Sequence, residues 1–288
     1  MESLILAPMA GVNDIAFREL CIECGAQLTY TEMISASGLD YKNDKTLGLL
    51  KLGKNEKRVV VQLFGHEAKT MAKQAVFVKE TLGDNLAYID INMGCPAKKI
   101  VSKGDGSALM DNPNLASQIV RAVSEVVKTS VKFRNHENVL AFAELMEKSG
   151  ADIMCCHPRY AYQFYRGEAD WSVIAAIKKN SNLPIIGSGD ITSYDEAQSR
   201  LNVCDAVMIG RAAWGNPAVF SPVPLSRIEL ARKHLIRYNE IYGSNLKAMR
   251  KHCIKYVRGM EGAARMREAF CNCETLDDYL EVLDNARS

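Results

Sequence analysis

Residues 183–217 read "LPIIGSGDITSYDEAQSRLNVCDAVMIGRAAWGNP". One apolar run stops at Gly187, the polar stretch "YDEAQSRLN" follows, and a second run, "DAVMI" at 205–209, stops at Gly210. Short apolar runs bounded by glycine read as strands, and the helix formers between them read as a crossover. Two strands joined through a helix lie parallel.

The same unit recurs toward the N-terminus. "LILA" 4–7, "LTYT" 28–31, "RVVVQL" 58–63, "LAYIDI" 86–91, "SVKF" 130–133 and "DIMCC" 152–156, with "LPII" 183–186 and "DAVMI", bring the runs to eight. Between them lie amphipathic segments such as "EAKTMAKQAVFVKETLG", "NLASQIVRAVSEVVK" and "NVLAFAELMEKSG", with glycine stops after several. Alternating strands and helices make a parallel sheet, and eight units predict an α/β fold closed as a (β/α)8 TIM barrel. In such a barrel the active site lies at the C-terminal ends of the strands.

At those ends stand Pro8 and Met9, Glu32, Gln62, Asn92 to Cys95, Lys132 and Arg134, His157 and Arg159, Gly187 to Asp190, and Gly210 and Arg211. Singly, each has a structural reading: Glu32 and Asp190 as helix caps, Gln62 as a partner for a backbone group, His157 as a bonded core histidine. Together they gather polar groups and glycines on one rim, as a binding site requires. "GSGDI" and "IGRAAWGNP" offer backbone N–H groups after strands seven and eight, where barrels bind phosphate, and Arg211 adds charge. Lys132 suits an anionic ring system such as a reduced flavin. A phosphate with a redox ring describes FMN.

Cys95 stands between Gly94 and Pro96 where the fourth apolar run ends, so it occupies a strand-to-loop corner. By itself the residue reads either as a small buried hydrophobe or as a presented thiol. Nine cysteines in a chain without a secretion signal fit reduced thiols better than a disulfide framework. Cys21 with Cys24 and Cys271 with Cys273 have zinc-like spacings, but "FRELCIECG" reads as an amphipathic helix stopped at Gly25, and no second CxxC follows. Core packing is the expectation for these four, with no metal.

With 48% apolar and 24% charged residues the composition is that of a globular chain. No window approaches the roughly 18 apolar residues of a membrane span, and "MESLILAPMAG" lacks a basic leader, so a cytoplasmic protein without membrane contact is expected. The charge is segregated. Residues 227–267 carry 11 basic against 3 acidic residues, whereas residues 1–224 carry 24 against 25. A surplus of that density attracts a polyanion such as nucleic acid.

The motifs "LAPMAGVND" (6–14), "TEM" (31–33), "VQLFG" (61–65), "DINMGCPAKKI" (90–100), "SVKFR" (130–134), "HPR" (157–159), "GSGDIT" (187–192) and "MIGRAAWGNP" (208–217) resemble the tRNA-dihydrouridine synthases, most of all the bacterial B-type branch. The likeness continues through "MRKHCIKYVRGMEGAARMRE" (249–268) and so spans nearly the whole chain. It implies a barrel over residues 1–224 followed by a small helical RNA-binding domain over 225–288. It implies also an FMN enzyme that reduces the C5–C6 double bond of uridines in tRNA with NADPH or NADH; no protein partner is implied, and a monomer is expected. Ribosomal RNA is the alternative substrate, and a barrel flavoprotein reducing a small pyrimidine or enone the alternative enzyme.

By motif match, Pro8, Met9 and Ala10 would hold FMN at the first strand end, Gln62 and Lys132 would contact its ring, and His157 would lie near the ribityl or phosphate side. Ser188, Gly189, Asp190, Gly210 and Arg211 would take the phosphate, and Cys95 would protonate uracil C5. A thiol, with an ordinary pKa near 8.5, is protonated at neutral pH yet acidic enough for that task. The base must be flipped from its stack to reach the flavin. Asn92, Lys98, Arg134, Arg159, Tyr160, Arg250 and Lys251 are the expected contacts to it and to the RNA, with Lys99, Lys103, Tyr162, Tyr165 and Arg166 beside them. Three features depart from the commoner family pattern: Pro158 for glycine, Ser188 for asparagine, and a short loop after Arg134.

Overall fold

Eight parallel strands close on themselves in the computed structural model, which describes residues 2–285. They are β1 Leu4–Leu6, β2 Leu28–Ser35, β3 Val59–Phe64, β4 Leu86–Met93, β5 Thr129–Asn135, β6 Ile153–Tyr160, β7 Ile185–Ser188 and β8 Ala206–Ile209. Leu6 pairs with Thr29 of β2 on one side and with Ile209 of β8 on the other, so the ring is hydrogen-bonded throughout.

Helices α1 Ile15–Glu23, α2 Ala36–Asp40, α3 Asp44–Leu47, α4 Ala68–Leu82, α5 Lys98–Val101, α6 Pro113–Ser124, α7 Val139–Lys148, α8 Trp171–Asn180 and α9 Tyr194–Arg200 lie in the crossovers. Several starts are chemically marked. The Asp14 carboxylate accepts from Phe17 N, Asn112 accepts from Leu115 N just before Pro113, and Ser193 accepts from Glu196 N. After β8 come α10 Arg227–Tyr242, α11 Arg250–Tyr256, α12 Ala263–Asn272 and α13 Leu276–Asp284. No described helix is long and apolar enough to cross a membrane.

Side chains alternate between the two faces of a strand, and this sorts the barrel into two apolar regions. Outward residues such as Val59, Val61, Ile89, Ile91, Val131 and Phe133 pack against the helices. Inward residues, among them Ile5, Leu28, Tyr30, Val60, Tyr88, Ile153, Ile186 and Met208, fill the floor of the barrel. Two residues further along the same strands, the inward positions turn polar. Gln62 follows Val60, Asp90 and Asn92 follow Tyr88, and His157 follows Cys155.

That switch explains where the apolar runs misjudge the strands. β2, β4 and β6 continue to Ser35, Met93 and Tyr160, past the ends expected at 31, 91 and 156. Apolarity marks what a strand buries against, not where its ladder stops. Inward polar residues of a barrel mouth therefore read as loop.

Candidate active site

Cys95 is half-buried just past β4, on a turn held from several sides. Asn92 Oδ1 accepts from Cys95 N at 2.9 Å and from Gly94 N at 3.2 Å. Arg134 Nε donates to Gly94 O at 2.8 Å, and Ser107 N donates to Cys95 O at 3.0 Å. Gly106 has φ +61°, and a Cβ there would stand 2.7 Å from Cys95 O, so the segment facing the turn needs a glycine at this point. The other barrel thiols, Cys155, Cys156 and Cys204, are buried.

Below the turn lies a hydrogen-bonded row. Asn92 Nδ2 donates to Gln62 Oε1 at 2.8 Å, Gln62 Nε2 donates to Asp90 Oδ2 at 2.7 Å, and Ser130 Oγ donates to Asp90 Oδ1. Lys132 faces this row from β5, paired in register with Asn92. Burial pushes the Asp90 carboxyl up to about 6, opposed by the hydrogen bonds from Ser130 and Gln62 and by the Lys132 charge.

Across the mouth, burial together with the charges of Lys132, Arg134, Arg159 and Arg211 pulls His157 down to about 2. Its imidazole is neutral at physiological pH. Arg159 Nη1 lies 3.3 Å from His157 Nε2 and has only protons to offer, so Nε2 accepts and Nδ1 carries the hydrogen. Asp190, at φ +54°, accepts from Arg159 Nη2 at 2.7 Å, Ala169 N at 2.8 Å and Arg211 Nη2 at 3.2 Å. A Cβ on Gly189 would stand 2.9 Å from His157 Cδ2. The guanidinium of Arg211 covers the Tyr165 ring at 4.4 Å, and that ring stacks on His157 with 6.3 Å between centroids.

A family model described as Dihydrouridine synthase (Dus) matches residues 5–288. The chain belongs to the dihydrouridine synthase family. It is 34% identical to the tRNA-dihydrouridine synthase B of Vibrio cholerae over 98% of this chain and 95% of that protein. It is 33% identical to a probable tRNA-dihydrouridine synthase of Rickettsia conorii over 93% of this chain and 88% of that one. Among solved structures, histamine dehydrogenase from Rhizobium sp. 4-9 has TM-score 0.55 at 14% identity, covering 81% of this chain and 46% of its own. Morphinone reductase has TM-score 0.52 at 12% identity, covering 75% and 85%. At such low identity these two structures speak to the barrel alone.

Within this dihydrouridine synthase the barrel brings Gln62, Asn92, Cys95, Lys132, His157, Ser188, Gly189, Asp190, Gly210 and Arg211 to one mouth, with Pro8, Met9 and Ala10 on the β1 loop. Two arginines expected at the RNA are placed elsewhere. Arg159 is 2% exposed, with its guanidinium spent on Arg166 O, Gly167 O and Asp190. Arg134 is 4% exposed and ties Gly94 O to Phe164 O. Both brace loops from inside, because a buried guanidinium is satisfied by carbonyls that no surface ligand can displace cheaply. Lys98, Lys99, Lys103, Arg166, Lys251 and Tyr162 are exposed, and Tyr160 stacks on Tyr162 at 5.3 Å. Arg250 is half-buried and donates to Cys273 O at 3.0 Å. Of the four paired cysteines, Cys21, Cys24 and Cys273 pack in the core, but Cys271 is exposed, because α12 turns that face outward.

The motifs left one cluster unread. Asp14 Oδ1 lies 3.4 Å from His234 Nε2, Asp14 Oδ2 lies 3.3 Å from His252 Nε2, and His234 Nδ1 lies 3.2 Å from Tyr256 Oη. These contacts pin α10 and α11 to the loop before α1. The pin brings the basic segment to the mouth: Lys251 Nζ lies 3.5 Å from where a Gly11 Cβ would stand, and Lys255 Nζ covers the Trp214 ring at 4.5 Å.

Proposed function

We propose that this enzyme reduces the C5–C6 double bond of uridines in tRNA, using FMN re-reduced by NADPH or NADH. The observation that carries the reading is Cys95, a half-buried thiol on a turn clamped by Asn92, Arg134 and Ser107 at the rim of a polar mouth. The names of the relatives support tRNA as the substrate.

The donor set suits a flavin mononucleotide. Lys132 would supply positive charge to the ring, Gln62 an amide, and neutral His157 an N–H at Nδ1. Gly189, where a Cβ would strike the His157 ring, and Gly210 leave backbone open on the phosphate side, with Ser188 and Arg211 as polar partners. Asp190 would serve the phosphate end through the two guanidinium groups it meets. It holds Arg211 and Arg159 in place. When bound, the flavin would supply the hydride that the uracil takes at C6. Cys95 then delivers a proton to C5, while Asn92 orients the ring and the turn. Exposed Lys98, Lys251, Arg166 and the stacked Tyr160–Tyr162 pair guide the RNA, whose target base must be turned out to reach the mouth.

Nucleoside analysis of RNA from cells with and without the gene tests the reading. Loss of dihydrouridine from tRNA is expected. Unchanged tRNA, or purified protein that neither carries nor binds flavin, overturns it.

A further inference from the structure

Asp90 lies two residues before Asn92 on β4, fully buried, directly above the apolar floor. It pairs in register with Gln62 of β3 and Ser130 of β5, so the three side chains form one layer across adjacent strands. From that layer the hydrogen bonds run in a single direction. The Cys95 and Gly94 amides donate to Asn92 Oδ1, Asn92 Nδ2 donates to Gln62 Oε1, and Gln62 Nε2 donates to Asp90 Oδ2.

A carboxamide has a donor end and an acceptor end, and nothing in its shape says which way round it sits. Here the ambiguity is removed at both ends, by the two backbone N–H groups that meet Asn92 Oδ1 from above and by Asp90 that meets Gln62 Nε2 from below. Were Gln62 reversed, its oxygen would face the Asp90 oxygen and its NH2 would face the Asn92 NH2. Asn92 would have to reverse as well, turning its NH2 toward two backbone N–H groups of the Cys95 turn. Buried donors left facing donors are costly, so one polarity survives. We propose that Asp90 is a positioning residue: as the acceptor that ends this chain, it orients Gln62 and Asn92 and thereby fixes the turn that presents Cys95.

The competing reading makes Asp90 only a buried counter-charge for Lys132. The geometry separates the two, because the direct partners of the carboxylate are Gln62 and Ser130. Ser130 can donate or accept. A proton gained by Asp90, or the NH2 of an asparagine in its place, can turn to Ser130 while the other oxygen still accepts from Gln62. Acceptor function therefore survives Asp90→Asn, but charge does not.

The inference rests on the proton-donor role assigned above to Cys95, and its test begins on flavin-free protein. Alkylation of Cys95 by iodoacetamide, read on its peptide by mass spectrometry, is expected to quicken several-fold in Asp90→Leu as the turn loosens, and to stay within about 3-fold of wild type in Asp90→Asn. In the flavin-loaded enzyme, single-turnover reduction of uridine is expected to slow roughly 10- to 100-fold in Asp90→Leu, as for a misplaced reacting group. Asp90→Asn is expected to restore it to within about 3-fold, with tRNA affinity unchanged in both. Should Asp90→Leu not fold, the wild type still decides by NMR: the Gln62 side-chain NH2 must exchange its hydrogens far more slowly than a surface glutamine. Rapid exchange there, wild-type alkylation in Asp90→Leu, or an Asp90→Asn enzyme as impaired as Asp90→Leu would overturn the proposal. Failure of wild type to reduce uridine would instead remove the reductase reading, leaving the alkylation and exchange results standing.

Discussion

Cys95 is legible in the sequence because glycine and proline flank it, and neither residue suits the interior of a strand or helix. Its clamps are not. Arg134 reads as a rim cation, and only burial reveals it as a brace for Gly94. Asp90 reads as an interruption of an apolar run, since a single chain cannot show which inward neighbours will meet it. At this scale the sharpest test is Cys95→Ala. Flavin binding and its reduction by NADPH are expected to persist, while reoxidation by tRNA slows about 10²- to 10⁴-fold, the usual yield of a general acid. Stability should change by no more than about 1 kcal/mol. Near-wild-type reoxidation, measured by stopped flow, would remove the thiol from the chemistry. Gly106→Ala should act on the same turn from the other side. With φ +61° and Cys95 O 2.7 Å from the new methyl, it is expected to cost more than about 1 kcal/mol in urea unfolding.

Among the elements, strands and crossover helices could be read from periodicity, whereas the seating of α10 and α11 could not. His234 and His252 lie in a segment whose charge points outward to a polyanion and not inward to the barrel, and their partner, Asp14, is more than two hundred residues away. Asp14 serves three elements, capping α1 while meeting one histidine from α10 and one from α11. Asp14→Ala is therefore expected to cost about 2–4 kcal/mol, a lost cap plus a broken buried polar cluster. Limited proteolysis should show first cleavage near α10 and α11 in the variant, with flavin still bound. A variant cut first within the barrel helices would contradict this assignment.

For the molecule as a whole, the charge segregation was plain from the sequence, but its burial pattern was not. Burial draws His252 down to about 4 and His157 to about 2, below their ordinary 6.5. Between those values the unfolded chain binds protons that the folded one refuses, so stability must fall as pH drops below about 6.5. Asp14 acts in the same sense further down: burial opposes its charge, but His234 and His252 hold its carboxyl well below the usual range, and that contribution goes as it protonates. The unfolding free energy from urea titrations is expected to be level from pH 8 to 7 as far as these groups are concerned, and then to decline toward pH 4 by on the order of 3 kcal/mol for each of the two histidines, with the midpoint falling alongside. A midpoint that rises on acidification would contradict these burials.

Closing β1 against β8 joins the beginning of the barrel to its end. During synthesis the first strand waits for a neighbour that is some two hundred residues from being made, with Leu4, Leu6 and the apolar side of α1 still bare. Contacts of such long sequence separation form late and slowly. Helices α10 and α11, made after β8, then settle on α1 and the loop before it, next to the seam just sealed. The tail that carries the basic surface is thus also the latch of the barrel, so loss of those helices should appear as poor yield and aggregation before any defect in RNA handling can be measured.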